Sequence, residues 1–592
     1  MKLNNAEHPA APAHGPATLA QIVQQRAAAD GAKIAYTFLA NGAADARSMT
    51  WAQLDRRATV LGTTLFARGA SSKMVLLALP SGLAFIEAIF ACWYAGAVAV
   101  PVSLPRHHRV KDRLRRIIQD SGSSVVIATN NTRQVLERQD PIGADLQWID
   151  PEADAIDASP ASASYRPILG DHLAGEQTAL LQYTSGSTAA PRGVVITHAN
   201  LMRNSALIAE ACGHQPGETI VGWLPLFHDM GLVGLVLQAA FAGLRCVFMS
   251  PERFLMRPSL WLQMISQYSA CSSPAPNFAY DLCVDKVTIE QKDHLDLSRW
   301  RNALNGSEPV RAATIDRFSS AFASCGFAAK TFFPCYGLAE ATLFVTGPGK
   351  IRQSTRRHAD GSALIPGETG GYIGCGLTFG DTRLSIVDPQ TLLRVAPGSI
   401  GEIWVAGGSC ASRYWNDPQA TAATFSAHLD GSNPDEVSLK WLRTGDLGYV
   451  AGGELFIIGR LRDLIIIAGR NHFPVDLEQT IEAADAAIAP SAAVAFSVDV
   501  SGVERLVVAA EVRRGDRQSE FEVSSDIEAQ AICRRVRAAV ALEHEVVPHD
   551  VVLLPAGALP RTTSGKLSRR SARDAYLKQT FIGLKGSSHV GV

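Results

Sequence analysis

The 592-residue sequence predicts an α/β protein: a large N-terminal domain of two mixed α/β subdomains plus a small β-barrel-like subdomain, followed by a small α+β C-terminal domain. Three observations carry this. Helix-like and strand-like apolar segments alternate through 51–128 and again through 180–345. Beyond 370 short strands recur between glycine turns. From 460 onward helical and strand patterns mix once more.

In the first series, 51–68 carries Leu54, Ala58, Leu61 and Leu65 at helical spacing, and 74–79 is a continuous apolar strand. Residues 88–104 (AIFACWYAGAVAVPVSL) hold no charge. A membrane helix needs about 20 such residues, and this run contains Gly96 and Pro101, so it predicts a buried helix ending near Ala95 and Gly96, then a strand, AVAVPV. The basic segment 111–120 (KDRLRRIIQD) predicts a helix with a solvated face, Leu114, Ile117 and Ile118 turning inward, ahead of a strand over 124–128. Such alternation builds a mostly parallel sheet with covering helices. Residues 151–167, rich in Pro, Ala, Ser and Asp, read as a surface linker. The second series places strands near 219–223, 245–249 and 331–334. TRLSIVD, GEIWVAG and ELFIIG are the strands of a β-rich subdomain at about 370–455. A boundary at 459–463 divides the chain into 1–459 and 460–592, the latter holding AAVAFSV, RLVVAAEV, a helix at about 525–544 and VVLLP.

Composition narrows the function. With 47% hydrophobic residues and a net charge of -1, the chain can bury a large core and offers no polycationic face for nucleic acid. Its ten cysteines form no CxxC pair, which points to reduced thiols in a cytoplasmic protein and not to a zinc site or a disulfide framework. The first residues contain no apolar stretch of the secretory kind.

The most informative segment is 183–198, YTSGSTAAPRGVVITH. Thr184, Ser185, Ser187 and Thr188 surround Gly186, and a cation follows at Arg192. Small hydroxyl residues and glycine let N–H and O–H groups approach a polyphosphate. Standing alone, such a loop is equally a solvated Ser/Thr/Gly segment, but this one is wedged between two strand-like runs. It does not match the P-loop pattern GxxxxGK[ST]. It resembles the phosphate loop of the adenylate-forming superfamily of acyl-CoA ligases, luciferases and peptide-synthetase adenylation domains, departing from it at Ala189 and Arg192.

Four further motifs extend the resemblance, from 183 to 570 of the chain. In 336–340 (YGLAE) it implies that Tyr336 stacks on adenine beside Gly337 and Leu338, and that Glu340, with Thr184, holds Mg²⁺. In 305–309 (NGSEP) it implies an adenine-side loop of Asn305, Gly306, Ser307 and Glu308. In 443–448 (RTGDLG) Asp446 is implied to accept both ribose hydroxyls, with Arg460 beside it. Arg462 and Asp463 map to the hinge on which the small, mobile domain turns. In 559–570 (LPRTTSGKLSRR) Lys566 maps to the catalytic lysine, while Arg561, Arg569 and Arg570 read as a solvated basic tail. The implied catalytic set is Lys566, Glu340 and Thr184, and the implied cofactors are ATP and Mg²⁺.

The segment 223–231 (WLPLFHDMG), with NFAYDLC at 277–283 and GRNHFP at 469–474, is similar to the fatty acyl-AMP ligase branch. The expected acyl pocket comprises His228, Asp229, Met230, Gly231, Pro274, Ala275 and Asn277. His228 and Asp229, being sequence neighbours, are expected to line a wall and not to face each other. An insertion at about 345–372, containing the basic run KIRQSTRRH, is implied to dock the small domain and disfavour CoA as acceptor. The resemblance therefore implies fatty acid activation by ATP, then transfer to the phosphopantetheine thiol of an acyl carrier protein. An acyl-CoA ligase and a degenerate nucleotide- or lipid-binding relative remain as alternatives.

Overall fold

The computed structural model describes residues 17–42, 45–104, 108–139, 146–153, 175–184, 191–349, 355–358, 371–430, 436, 438–467, 470–513, 526–562 and 565–581. The expected linker beyond 153, most of the insertion, and Ser185, Gly186, Ser187 and Thr188 of the phosphate loop lie outside these residues.

Two sheets form the body of the N-terminal domain. The six-stranded one runs Gln147–Ile149, Val125–Ile127, Met74–Leu77, Val98–Pro101, Thr178–Thr184, Arg192–Thr197. Its pairings are parallel except the last, where Thr184 faces Arg192 across an antiparallel hairpin. The seven-stranded one runs Phe332–Pro334, Asn302–Asn305, Ser272–Ala275, Thr219–Gly222, Arg245–Met249, Ile34–Leu39, Ala46–Thr50. Its last two strands were not anticipated: the N-terminal hairpin crosses over, and Ile34–Leu39 pairs in parallel with Arg245–Met249. The charge-free segment forms the helix Leu83–Tyr94 and the strand Val98–Pro101. Every residue from Phe85 to Tyr94 is buried, in a core that includes Leu77 of one sheet and Ile220 of the other. That enclosure explains a helix whose one charged residue, the buried Glu87, is paired with Arg57 at 3.0 Å. Among the described residues no helix is long and apolar enough to cross a membrane.

The β-rich part contains an antiparallel sheet of four strands, Arg383–Val387, Gly401–Ala406, Leu442–Ala451 and Glu454–Arg460. The described pairings leave this sheet open and do not close it into a barrel. Its last strand delivers the chain to a single helical turn, Leu461–Asp463. Beyond it, Ile488–Val500, Val503–Val512 and Asp550–Leu554 form a three-stranded sheet. Ile532, Val536 and Val540 of the helix Asp526–His544 cover one face, and Leu559 and Ala572 join the core on the other.

The two lobes touch through polar contacts. Arg311 donates to both carboxylate oxygens of Glu482 at 2.7 Å. The Ser491 hydroxyl donates to Asp281 at 3.1 Å, and Tyr372, next to the insertion, donates to Asp476. A Cβ on Gly565 would lie 3.1 Å from the Phe278 ring, so the loop carrying Lys566 rests against the larger lobe.

Candidate active site

Parallel strands expose their carboxyl ends on one side of a sheet, and loops leaving those ends build ligand clefts. Thr184 ends the strand Thr178–Thr184, Asn305 ends Asn302–Asn305, and Tyr336 follows Phe332–Pro334. Thr184, Tyr336 and Gly306, the residue after Asn305, border a cavity of about 530 Å³ whose lining also includes Arg192, Glu340, Arg460 and Lys566. Positions 382 residues apart are thus brought to one cleft, with Lys566 the C-terminal lobe's contribution.

The register of the antiparallel strands sets Asp446 opposite Arg460. The Asp446 carboxylate accepts from the Tyr336 hydroxyl at 2.7 Å and pairs with Arg460 Nε at 2.9 Å. Attraction to Asp446 raises the Arg460 guanidinium above its ordinary value. Burial, and then the Asp446 charge, push the Tyr336 phenol well above its usual range. A carboxylate held by an arginine and a hydroxyl retains acceptor capacity for vicinal hydroxyls. Asp446 itself lies just behind the cleft lining, reached through Tyr336 and Arg460.

Glu340 sits in a short helical turn, Ala339–Ala341, half-buried on the cleft. Its Oε1 accepts from the Tyr414 hydroxyl at 2.7 Å, and its carbonyl accepts from the Ala411 amide at 2.8 Å. Burial raises the carboxyl; Tyr414 and Arg460 pull it back only in part. The turn closes on Thr342, a fully buried β-branched residue with φ +69°. Such a conformation costs roughly 1–3 kcal/mol and persists where its surroundings enforce it; here Thr342 Oγ1 donates to Ser409 O at 2.6 Å. Glu340 and the Thr184 hydroxyl offer oxygen donors suited to Mg²⁺, which binds through one or two carboxylates plus substrate phosphates. Among the described residues no group of three or more His, Cys, Asp or Glu side chains could hold a metal by itself.

The lining also contains the apolar residues Ile208, Met230, Pro274, Leu304, Leu343 and Phe344. His228 and Asp229 line the cavity as expected, but their mutual geometry corrects an expectation. His228 Nδ1 lies 2.5 Å from Asp229 Oδ1. His228, in extended conformation, caps a helical turn whose first residue is Asp229, so the carboxylate folds back onto the ring and onto the Met230 amide at 2.7 Å. Burial alone would raise the Asp229 carboxyl, but His228, Lys566 and the Met230 amide together hold it below the usual range. Lys566, expected on an exposed loop, is half-buried over this site. Burial lowers its ammonium, while the nearby charges of Glu308 and Asp229 pull it back up.

Other expected residues stand off the wall. Gly231 packs behind it: a Cβ there would meet Pro225 O at 2.2 Å. Ala275, Asn277 and Asn305 are fully buried and absent from the lining. Asn277 ties the region together, its amide donating to Glu308 Oε1 at 3.1 Å and Pro309 O at 2.9 Å, its oxygen accepting from Asn305 and from the Arg311 amide. Gly306, Ser307, Gly337 and Leu338 line the cleft, and Glu308 faces Lys566 from behind. Arg462 lines it too, 3.5 Å from Asp463. Of the basic tail, Arg569 is not solvated as expected: it binds both oxygens of buried Glu478 at 2.6 and 2.7 Å and reaches Asp463 at 3.4 Å, while Arg561 lies 3.6 Å from Glu511. Arg561 and Arg570 are exposed, so of the three it is Arg569 that is drawn inward. Sequence reasoning missed Arg113, Glu402, Tyr414 and Arg443, all in the lining. Arg443 directly precedes the TGD motif, the one local signal available for any of them.

Comparison with known proteins agrees with this geometry. Residues 23–415 match the family described as AMP-binding enzyme, and residues 462–584 match the Disco-interacting protein 2-like AMP domain. The medium-chain-fatty-acid–acyl-carrier-protein ligase JamA of Moorena producens (strain JHB) is 37% identical, with 95% of this chain and 96% of that protein covered. A fatty acyl-adenylate ligase from L. pneumophila, solved in complex with acyl adenylate and pyrophosphate, is 33% identical over 95% of this chain and 96% of that one, with TM-score 0.71. A chain from a study of fatty acyl-adenylate ligases from E. coli and L. pneumophila is 30% identical, covering 97% and 99%, with TM-score 0.81.

Proposed function

The chain belongs to the AMP-binding enzymes, in their fatty acyl-AMP ligase branch, and on that premise we propose that it activates a fatty acid with ATP and passes the acyl group to a carrier protein. A carboxylate oxygen of the acid attacks the α-phosphorus of ATP. The bond from that phosphorus to the α,β-bridging oxygen breaks, and pyrophosphate leaves with the electron pair. The thiol of a carrier-bound phosphopantetheine then attacks the acyl carbon; AMP leaves and the thiol proton is lost. The observation that carries this reading is one cleft whose lining combines Thr184, Glu340, Arg460 and Lys566 with apolar side chains.

Each part of the cleft has a task. Asp446 and Arg460 hold the ribose, with Tyr336 against the base. The Lys566 ammonium offsets the repulsion between carboxylate and phosphate and the charge gathering on the phosphoryl oxygens. Mg²⁺, held by Glu340 and the Thr184 hydroxyl, supplies further charge neutralisation at the phosphates. Ile208, Leu343 and Phe344 receive the alkyl tail, each buried methylene contributing about 0.8 kcal/mol. The ten free thiols, eight of them buried, fit a reducing, cytoplasmic setting.

The test measures pyrophosphate release with ATP and fatty acids of graded length, then acyl transfer to holo carrier protein or to CoA. Fatty-acid-dependent pyrophosphate release with transfer to the carrier protein is the expected result. Absence of pyrophosphate release would overturn the reading, and efficient acyl-CoA formation would replace its second half.

A further inference from the structure

Most cations around the cleft have an anionic neighbour within the protein. Arg460 pairs with Asp446 at 2.9 Å, Arg443 with Glu402 at 2.8 Å, Arg192 with Asp417 at 3.4 Å and Arg462 with Asp463 at 3.5 Å. Glu308 and Asp229 face Lys566. Arg113 differs. It projects from the helix His108–Ser121 into the lining, beside Tyr183, Thr184 and Arg192. Its one hydrogen bond among the described residues is long, 3.4 Å from Nη2 to the Tyr183 carbonyl, and no ion pair joins it to a carboxylate. Burial lowers its guanidinium, and no neighbouring charge offsets that. A half-buried guanidinium with five donors and one weak acceptor is a costly arrangement unless an anion completes it.

Its position selects the anion. Tyr183 directly precedes Thr184 in the phosphate loop, and the Tyr183 hydroxyl donates to Asp120 at 2.5 Å on the same helix as Arg113. The helix is therefore fastened to the strand that opens that loop. Arg192, at the loop's far end, is partly neutralised by Asp417 and lies over the Tyr414 ring, 5.5 Å from its centre. A forked guanidinium matches phosphate oxygens in two-point contact, which a neutralised neighbour cannot replace.

We propose that Arg113 is a phosphate-binding residue of the cleft, contacting the outer phosphates of ATP and the pyrophosphate they become. The proposal rests on the adenylation reading above. The experiment is fatty-acid-dependent exchange of labelled pyrophosphate into ATP, run on the full chain with wild type, R113Q and R113K, alongside AMP affinity and the thermal midpoint. R113Q raises KM for pyrophosphate on the order of tenfold, the effect of losing a charge-assisted contact, and leaves AMP affinity unchanged. R113K, which keeps the charge and loses the fork, falls between. An unaltered pyrophosphate KM in R113Q, or an equal loss of affinity for AMP and pyrophosphate, overturns the proposal. Should R113Q not fold, R113K decides: wild-type pyrophosphate KM overturns it and a selective rise supports it. Wild-type protein that shows no exchange at all refutes the adenylation reading instead, so the two failures are distinct.

Discussion

Truncating Arg311 to alanine should loosen the C-terminal lobe. Arg311 stands just before the helix Ala312–Ala321, and its side chain makes no cap bond, so the substitution leaves the helix start intact. It removes two 2.7 Å bonds to Glu482, in a pair whose side chains are each only 16% exposed. Burial already raises the Glu482 carboxyl, with Arg311 pulling it back, so the variant strands a desolvated carboxylate. A charge-assisted pair of this kind, discounted for partial exposure, is worth about 2 kcal/mol, or ~30-fold in the ratio of open to docked lobes. Ser491 with Asp281 and Tyr372 with Asp476 remain, so docking weakens without being abolished. Limited trypsin digestion reads the change, because cleavage after Arg462 follows the population in which the hinge is accessible. R311A and E482A should each accelerate that cleavage, and the double variant should fall short of the summed effects. Wild-type cleavage in both single variants, with unchanged thermal midpoints, would refute the argument. Strict additivity would show that the two side chains do not act as a pair.

Lys566→Ala should lower pyrophosphate release by roughly 100-fold or more while the melting temperature stays put, because the ammonium makes no hydrogen bond among the described residues; equal release from both proteins would remove its assignment. Gly231→Ala should destabilise the fold by about 1–3 kcal/mol, since the added Cβ would press on the backbone oxygen of Pro225; an unchanged melting curve would count against that packing. Burial lifts the Asp476 carboxyl from 3.8 to about 6, against the Tyr372 bond. A carboxyl raised in the docked state favours docking fully below the lower value and loses that contribution as pH rises through about 6. Energy transfer between dyes on the two lobes should therefore decline across this window in wild type, and Asp476→Asn should flatten it; an identical pH profile in both would exclude Asp476 as the source.

Much of this architecture could be read before any coordinates. Leu54, Ala58, Leu61 and Leu65 are all buried on the helix Trp51–Ala67, because helical periodicity reports which face meets the core. The strand Arg245–Met249 coincides with its predicted limits. The N-terminal hairpin was not legible, since its partner strand lies some 200 residues away and pairing across such a span leaves no local trace. The same limit governs the site. Arg113 was assigned to a solvated face by the amphipathic pattern that correctly turned Leu114 and Ile117 inward, but its neighbour Tyr183 belongs to another element. Arg569 looked like part of a basic tail because Glu478 is 91 positions earlier. The meeting of His228 with Asp229 depends on one extended residue ahead of a helical turn, a backbone detail that composition does not encode.

Arg460 ends the strand Glu454–Arg460, and the turn Leu461–Asp463 begins at the next residue. The side chain gripping Asp446 is thus covalently adjacent to the turn we propose as the pivot of the smaller lobe. On that proposal, a lobe swinging about the pivot would tug on the grip, and a sugar seated in the grip would resist the swing. Departure of the spent nucleotide and reorientation for the incoming thiol would then share one degree of freedom, with no relay of side chains needed between them.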